Sequence, residues 1–239
     1  MDISVVIPVF RGRDTLEPLV DRLTNVLPSM ATNFEMILVN DGSPDDSWQE
    51  IERLAHRDRH VRGIDLMRNY GQHNATLCGI RAARYEVIFT MDDDLQNPPE
   101  EIPKLLDKLN EGYDVVYGLA RKREQAWWKN LFSTLIKRAI SYVMGVQTVR
   151  DICAFKVFRA ELRKAFEGFH GPDVLVDVLL SWGTSRFGSV SVDESPRTTG
   201  KSNYDLLKLI KVSLLVLTSY TTLPLRSPVY WAFYSPSWG

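Results

Sequence analysis

With 239 residues and a formal net charge of −1, the chain can bury the core of one large domain or two small ones. It lacks the basic balance of a nucleic-acid-binding protein, so no nucleic-acid partner is expected. Its two cysteines, Cys78 and Cys153, show no paired spacing, which excludes a disulfide framework and suits a reducing compartment.

The chain opens on MDISVVIPVF, which carries an acid where a secretory leader needs basic residues, and its apolar run is strand-sized. Further short β-rich runs follow in order: FEMILVN, VRGIDLM, EVIFTM and DVVYGL. Between them lie the helical patterns TLEPLVDRLTNVL, SPDDSWQEIERLA and HNATLCGIRAAR. Strand alternating with helix predicts β-α-β units and an α/β fold with a mostly parallel central sheet. The strands are apolar almost throughout, as expected of a sheet covered on both faces. Helix starts are expected at Ser43 with Pro44 in the first turn, and at Asn97 with Pro98 in the first turn and Glu100 completing a capping box.

The pattern changes after about Leu119. A basic helix with two tryptophans, AWWKNLFSTLIKRAISYVMGV, is expected over 126–146. A short strand, FGSVSV, precedes the loop DESPRTTGKSNY, then a very apolar helix over 206–217 and an uncharged aromatic tail, SPVYWAFYSPSWG. The domain expectation is therefore 1–205 for a catalytic unit and 206–239 for an apolar juxtamembrane helix and tail. The most apolar stretch, VSLLVLTSYTTLPL (212–225), is shorter than the roughly 18 residues a spanning helix needs and contains Pro224. No repeat or low-complexity linker interrupts the chain.

Chemistry concentrates at two strand ends. In an open α/β sheet, ligands bind outside the carboxyl ends of the strands. LVNDGS puts Asp41 at one such end, and TMDDDLQNPPEEIP puts Asp92, Asp93 and Asp94 at another. In an extended chain Asp92, Asp94 and Gln96 point one way and Asp93 the other. Two carboxylates and an amide oxygen are hard-oxygen ligands suited to Mg²⁺ or Mn²⁺, whose shell is commonly completed by substrate phosphates. An acidic loop ahead of a helix is the plainer reading of the same residues. An EF-hand does not fit, because its sixth and twelfth positions fall on Asn97 and Pro103.

The ordered set VVIPVF, LVNDGSPDDS, RNYGQHNA and TMDDDLQNPPEEIPKL resembles the family 2 glycosyltransferases of GT-A fold. DLQNPPEEIP with RNYGQH is similar to the polyprenyl-phosphate branch of that family, bacterial enzymes that load a sugar onto undecaprenyl phosphate. The resemblance runs from Ile3 to about Arg226. It implies that Asp41, beside Pro8 and Val9, meets the uracil-type base of a nucleotide-sugar donor, with Arg68 and Gly71 flanking the pocket. It implies that Asp92, Asp94 and Gln96 hold the metal on the donor diphosphate, with Asp93 in the same motif. Arg121 would meet phosphate, and RTTGKSNY would bring Arg197, Lys201, Ser202 and Tyr204 to the donor diphosphate or the acceptor phosphate. Lys129 and Lys156 stand where an arginine is usual, keeping charge but losing bidentate geometry. Asp151 would be a polar helper.

The chain departs from the family pattern in three further places. Arg11-Gly12 replaces the common Asn-Glu, Ala154 replaces a polar residue, and the branch continues past PLR into membrane-spanning helices where this sequence ends 13 residues after Arg226.

Other patterns read more simply. SPRTTGKS lacks the first glycine of a phosphate-binding Walker loop and carries Pro196 within it. His56 and His60 have the spacing of a zinc pair but no third ligand nearby. A receiver-type signalling domain also has acids at its strand ends, but it is about half this length and has no basic C-terminal segment. A transferase acting on a saccharide hydroxyl in surface polysaccharide synthesis is the rival enzyme.

The lipid-phosphate reading predicts inversion by a single in-line displacement. It places the protein at the cytoplasmic face of the plasma membrane, bound peripherally to anionic lipid. Trp127, Trp128, Phe132 and Ile136 interleave with Lys129, Lys137 and Arg138 as in an interface helix, and residues 121–138 carry six basic groups against one acid. The partners expected are thus a nucleotide-sugar, UDP-linked for preference, a polyprenyl phosphate and the membrane surface, with a homo-oligomer left open.

Overall fold

The computed structural model describes residues 1–120, 153–171 and 174–193, all within one unit built from 1–124 and 151–199. The strands are β1 (Asp2–Val9), β2 (Asn33–Asn40), β3 (Val61–Asp65), β4 (Val87–Thr90), β5 (Val115–Ala120), β6 (Lys156–Arg159) and β7 (Phe187–Val192). They form one sheet in the order β3-β2-β1-β4-β6-β5-β7. Every pairing is parallel except the two made by β6, which runs antiparallel to β4 and β5. The helices are α1 (Arg13–Val26), α2 (Ser47–Arg57), α3 (Gln72–Ala82), α4 (Ile102–Asn110) and α5 (Val176–Gly183).

Alternation along the strands divides the apolar residues between two faces. Ile3, Val5, Ile7 and Val9 of β1, with Met36 and Leu38 of β2, Phe89 of β4, Val157 of β6 and Val116 of β5, pack under α1, α2 and α4. Leu16, Leu19, Val20 and Leu23 give α1 its helical stripe on that side. On the other face α3 lies so close to β1 and β2 that a Cβ at Gly79 would sit 2.3 Å from Val6 Cγ1. Glycine at this position sets how near the helix comes to the sheet.

Two helix starts differ from expectation. α2 begins at Ser47, because Pro44–Asp46 form a turn and the Asp45 carboxylate accepts from the Ser47 N–H and hydroxyl. Ser43 instead accepts the Arg11 N–H. The second helix begins as a 3-10 turn at Pro99, and the Glu100 carboxylate pairs with Arg22 rather than closing a capping box. A further strand, β6, was not expected at all.

The amino-terminal edge of the sheet is tied by Glu35, which is buried in β2. Its carboxylate accepts from the Ser4 hydroxyl at 2.8 Å, from Arg62 at 2.6 Å and from the Arg84 N–H at 2.7 Å. Burial alone would raise its pKa, but these three donors together hold it below the ordinary carboxylate value. Glu35→Ala should cost about 2 kcal/mol at neutral pH, since it strands three donors. The contribution is full above the ordinary glutamate pKa and is lost as pH falls through the lower folded value, where the unfolded chain binds the extra proton. Urea titrations of both proteins at pH 7 and below pH 4 check this, and the gap between them should narrow in acid.

Candidate active site

The order β3-β2-β1-β4 places β1 where the chain reverses direction across the sheet, with β2 on one side and β4 on the other. Crevices at such points collect ligands in α/β proteins. Both neighbours of β1 end in acid. Asp41 follows β2 directly, donates its own N–H to the Val9 carbonyl and is buried. Pro8 and Val9 pair with Val39 and Asn40, so the three residues expected around the base share one corner.

Asp41 also fixes the loop after β3. One carboxylate oxygen accepts the Tyr70 N–H at 2.7 Å and the other accepts the Gly71 N–H at 2.9 Å. Gly71 takes a φ of 92° to enter α3. Gly42, at a φ of 61°, lets the loop approach, because a Cβ there would meet the Arg68 carbonyl carbon at 2.5 Å. Arg68 lies with its guanidinium 4.7 Å from the Tyr70 ring centre. The Tyr70–Gln72 stretch then reaches β4, where the Gln72 amide donates to Asp92.

The acidic triplet separates its three charges by direction. The strand ends at Thr90 and the chain bends from Asp93, with Leu95 in the left-handed region at a φ of 60°. Asp92 meets Gln72, while Asp94 accepts from both the backbone N–H and the side-chain amide of Gln96. Asp93 turns toward Gly12. A Cβ at Gly12 would fall 2.2 Å from its carboxylate, so the Arg11-Gly12 departure from the family pattern makes the room that Asp93 fills. Burial, then the charges of Asp92 and Asp94, push its pKa up to about 7 against the N–H of Phe10. Its Oδ2 is buried without a hydrogen-bond partner.

Among the described residues no three His, Cys, Asp or Glu side chains form a ready cation cage. The donors at the end of β4 are oxygens only, two carboxylates and one amide, beside a carboxyl oxygen left without a partner. Such a partial set fits Mg²⁺ or Mn²⁺, which are commonly held by one or two carboxylates and otherwise by water and phosphate.

Lys156 lies in β6, opposite Thr90 of β4 and Tyr117 of β5. It is buried, and its ammonium meets the Asp177 carboxylate of α5, which also accepts from the Tyr117 hydroxyl at 2.9 Å. Cys153 lies close by and its burial pushes the thiol up to about 12. Arg121, Lys129, Asp151, Arg197, Lys201, Ser202 and Tyr204 lie outside the described residues, as does the helix expected over 126–146.

Three residues escape sequence reasoning: Gly42, Gln72 and Asp177. Asp177 carried a signal, since an acid inside the apolar run VLVDVLLSW demands a buried partner.

The sequence pattern of Glycosyl transferase family 2 matches residues 4–167. The chain belongs to this family. Undecaprenyl-phosphate 4-deoxy-4-formamido-L-arabinose transferase of Shewanella sediminis (strain HAW-EB3) is 38% identical over 225 residues, covering 94% of this chain and 68% of its own. The protein of that name from Proteus mirabilis (strain HI4320) is 36% identical over 225 residues, 94% of this chain and 69% of its own. In fold the glycosyltransferase resembles glucosyl-3-phosphoglycerate synthase from Mycobacterium tuberculosis, solved in complex with Mn²⁺ and uridine-diphosphate-glucose, at a TM-score of 0.62 and 19% identity. That likeness covers 89% of this chain and 75% of the other. A second structure of that synthase, with Mn²⁺, uridine-diphosphate and glucosyl-3-phosphoglycerate, gives a TM-score of 0.63 at 19% identity, covering 89% and 76%. The architecture is that of GT-A glycosyltransferases, and the receiver-type alternative falls with it.

Proposed function

We propose that this glycosyltransferase moves a sugar from a nucleotide-diphosphate sugar, UDP-linked for preference, to undecaprenyl phosphate, with inversion at the anomeric carbon. The observation that carries the donor half is the placing of Asp41 on one side of β1 and Asp92–Asp94 on the other. The acceptor half is supported by the names of relatives that match 94% of the chain.

In this reading the base lies at the Asp41 corner with Pro8 and Val9, and the Arg68–Gly71 loop walls the pocket. Asp92, Asp94 and Gln96 would hold a divalent cation, which when bound offsets the charge developing on the leaving diphosphate. A lipid phosphate is already anionic near neutral pH, so it attacks without needing strong deprotonation. The task of the protein is then to align two anions and suppress their repulsion. By the resemblance of their motifs to the family's, Arg121, Arg197 and Lys201, with Lys129, Ser202 and Tyr204, would supply that cationic and polar surround, and Asp151 would assist. The catalytic unit spans 1–205, with 206–239 leading toward the membrane.

A two-phase radiolabel assay tests the reaction, with undecaprenyl phosphate and a panel of nucleotide-sugars that includes 4-deoxy-4-formamido-L-arabinose as the sugar. Label should enter the organic phase, EDTA should abolish transfer, and Asp94→Asn should lower turnover about 100-fold while remaining folded. Label confined to a water-soluble saccharide, or a folded Asp94→Asn protein near wild-type turnover, would overturn the reading.

The acceptor also implies peripheral binding at the cytoplasmic leaflet. Among the described residues no helix is long and apolar enough to cross a membrane. Basic residues of 121–138 should add about 1 kcal/mol each where well placed near anionic lipid, weakened by salt. The protein should float with anionic liposomes at low salt, and less so when Trp127 and Trp128 become alanine. No flotation at low salt, or resistance to carbonate extraction, contradicts this binding mode.

A further inference from the structure

β6 is the only antiparallel strand among the described residues, it is four residues long, and it lies between β4 and β5 beside the acidic strand end. A strand so short has few ladder bonds to hold its register. A slip of one residue would move every side chain to the other face of the sheet. Here the two faces differ sharply. Phe155 and Val157 enter the apolar core under α1, α2 and α4, while Lys156 points to the α5 side, where Asp177 and the Tyr117 hydroxyl receive it. Side-chain exposure is 4% for Lys156 and 5% for Asp177. A slipped β6 would carry the ammonium into the apolar core, away from the carboxylate, at the full cost of an unpaired buried charge. The Thr90 hydroxyl, which donates to the Ala154 carbonyl at 2.7 Å, marks the same alignment from β4.

We propose that Lys156, Asp177 and Tyr117 form a register lock for β6, and that Lys156 is a positioning residue rather than a phosphate contact. The lock holds the strand that flanks β4 two residues before Asp92. It acts on the reaction only through that alignment. The inference rests on the donor-site reading for its kinetic consequence and on the geometry alone for the lock itself.

Charge reversal separates the two roles. Lys156→Met should lower kcat about tenfold while UDP affinity, measured by calorimetry, stays within about twofold. Amide hydrogen exchange across 155–159 should quicken in the same variant. The double variant Lys156→Glu with Asp177→Lys rebuilds the pair with its ends exchanged and should recover kcat to within about threefold of wild type. A phosphate contact would behave otherwise: UDP affinity would fall at least about tenfold in Lys156→Met, and the reversed pair would stay inactive although folded. Either result overturns the lock. If Lys156→Met does not fold, Tyr117→Phe carries the comparison, with faster exchange at 155–159 and unchanged UDP affinity expected, and unchanged exchange counting against the lock. A wild-type protein that binds no UDP would count against the donor-site reading, and the exchange measurement alone would then decide the lock.

Discussion

Asp41 places both of its carboxylate oxygens on the N–H groups of Tyr70 and Gly71, and the geometry of the whole edge follows from that pair of bonds. A buried carboxylate is costly unless its lone pairs are satisfied, and two backbone donors satisfy it without importing a second charge. The loop after β3 is thereby drawn toward the end of β2, over a glycine that offers no Cβ to resist it. From there it reaches α3, whose first residue, Gln72, touches Asp92 just past β4. One carboxylate thus links the two strand ends that flank β1.

The same edge shows how a chain tolerates three consecutive aspartates. Like charges at this spacing repel, and the repulsion is relieved by sending each side chain to a different neighbour. Asp92 goes to Gln72 and Asp94 to Gln96, while Asp93 turns toward Gly12, where burial pushes its pKa up to about 7. Asp92 and Asp94 are the two carboxylates whose charge the proposed divalent cation would offset. The positive groups proposed to surround the two phosphates lie outside the described residues, and Lys156, buried in the sheet, is already matched by Asp177.

What could be read in the sequence follows from how local each signal is. The parallel strands were legible because burial on both faces demands continuous apolar runs, as in SVVIPV and MILV. The acidic strand ends were legible because the residue after an apolar strand falls at the carboxyl edge. β6 was not legible, because Lys156 breaks its apolar pattern and the carboxylate that makes the lysine tolerable lies 21 residues away. The late start of α2 was hidden for a similar reason: Ser43 looks like a cap, but its hydroxyl is occupied by Arg11 of another loop. The second function of Asp41, as fastener of the Tyr70–Gly71 turn, needed the fold to bring residues 29 and 30 positions apart into contact.

The central claim is that the acidic ends of β2 and β4 frame one donor site across β1. Anomalous scattering from crystals soaked with Mn²⁺ and UDP tests it most directly. The account predicts a manganese peak at coordinating distance from Asp94, about 2.0–2.2 Å as for hard cations of this size, with the uracil at the Asp41 corner and the diphosphate between. A manganese peak remote from residues 92–96, or UDP bound away from the end of β1, would contradict it.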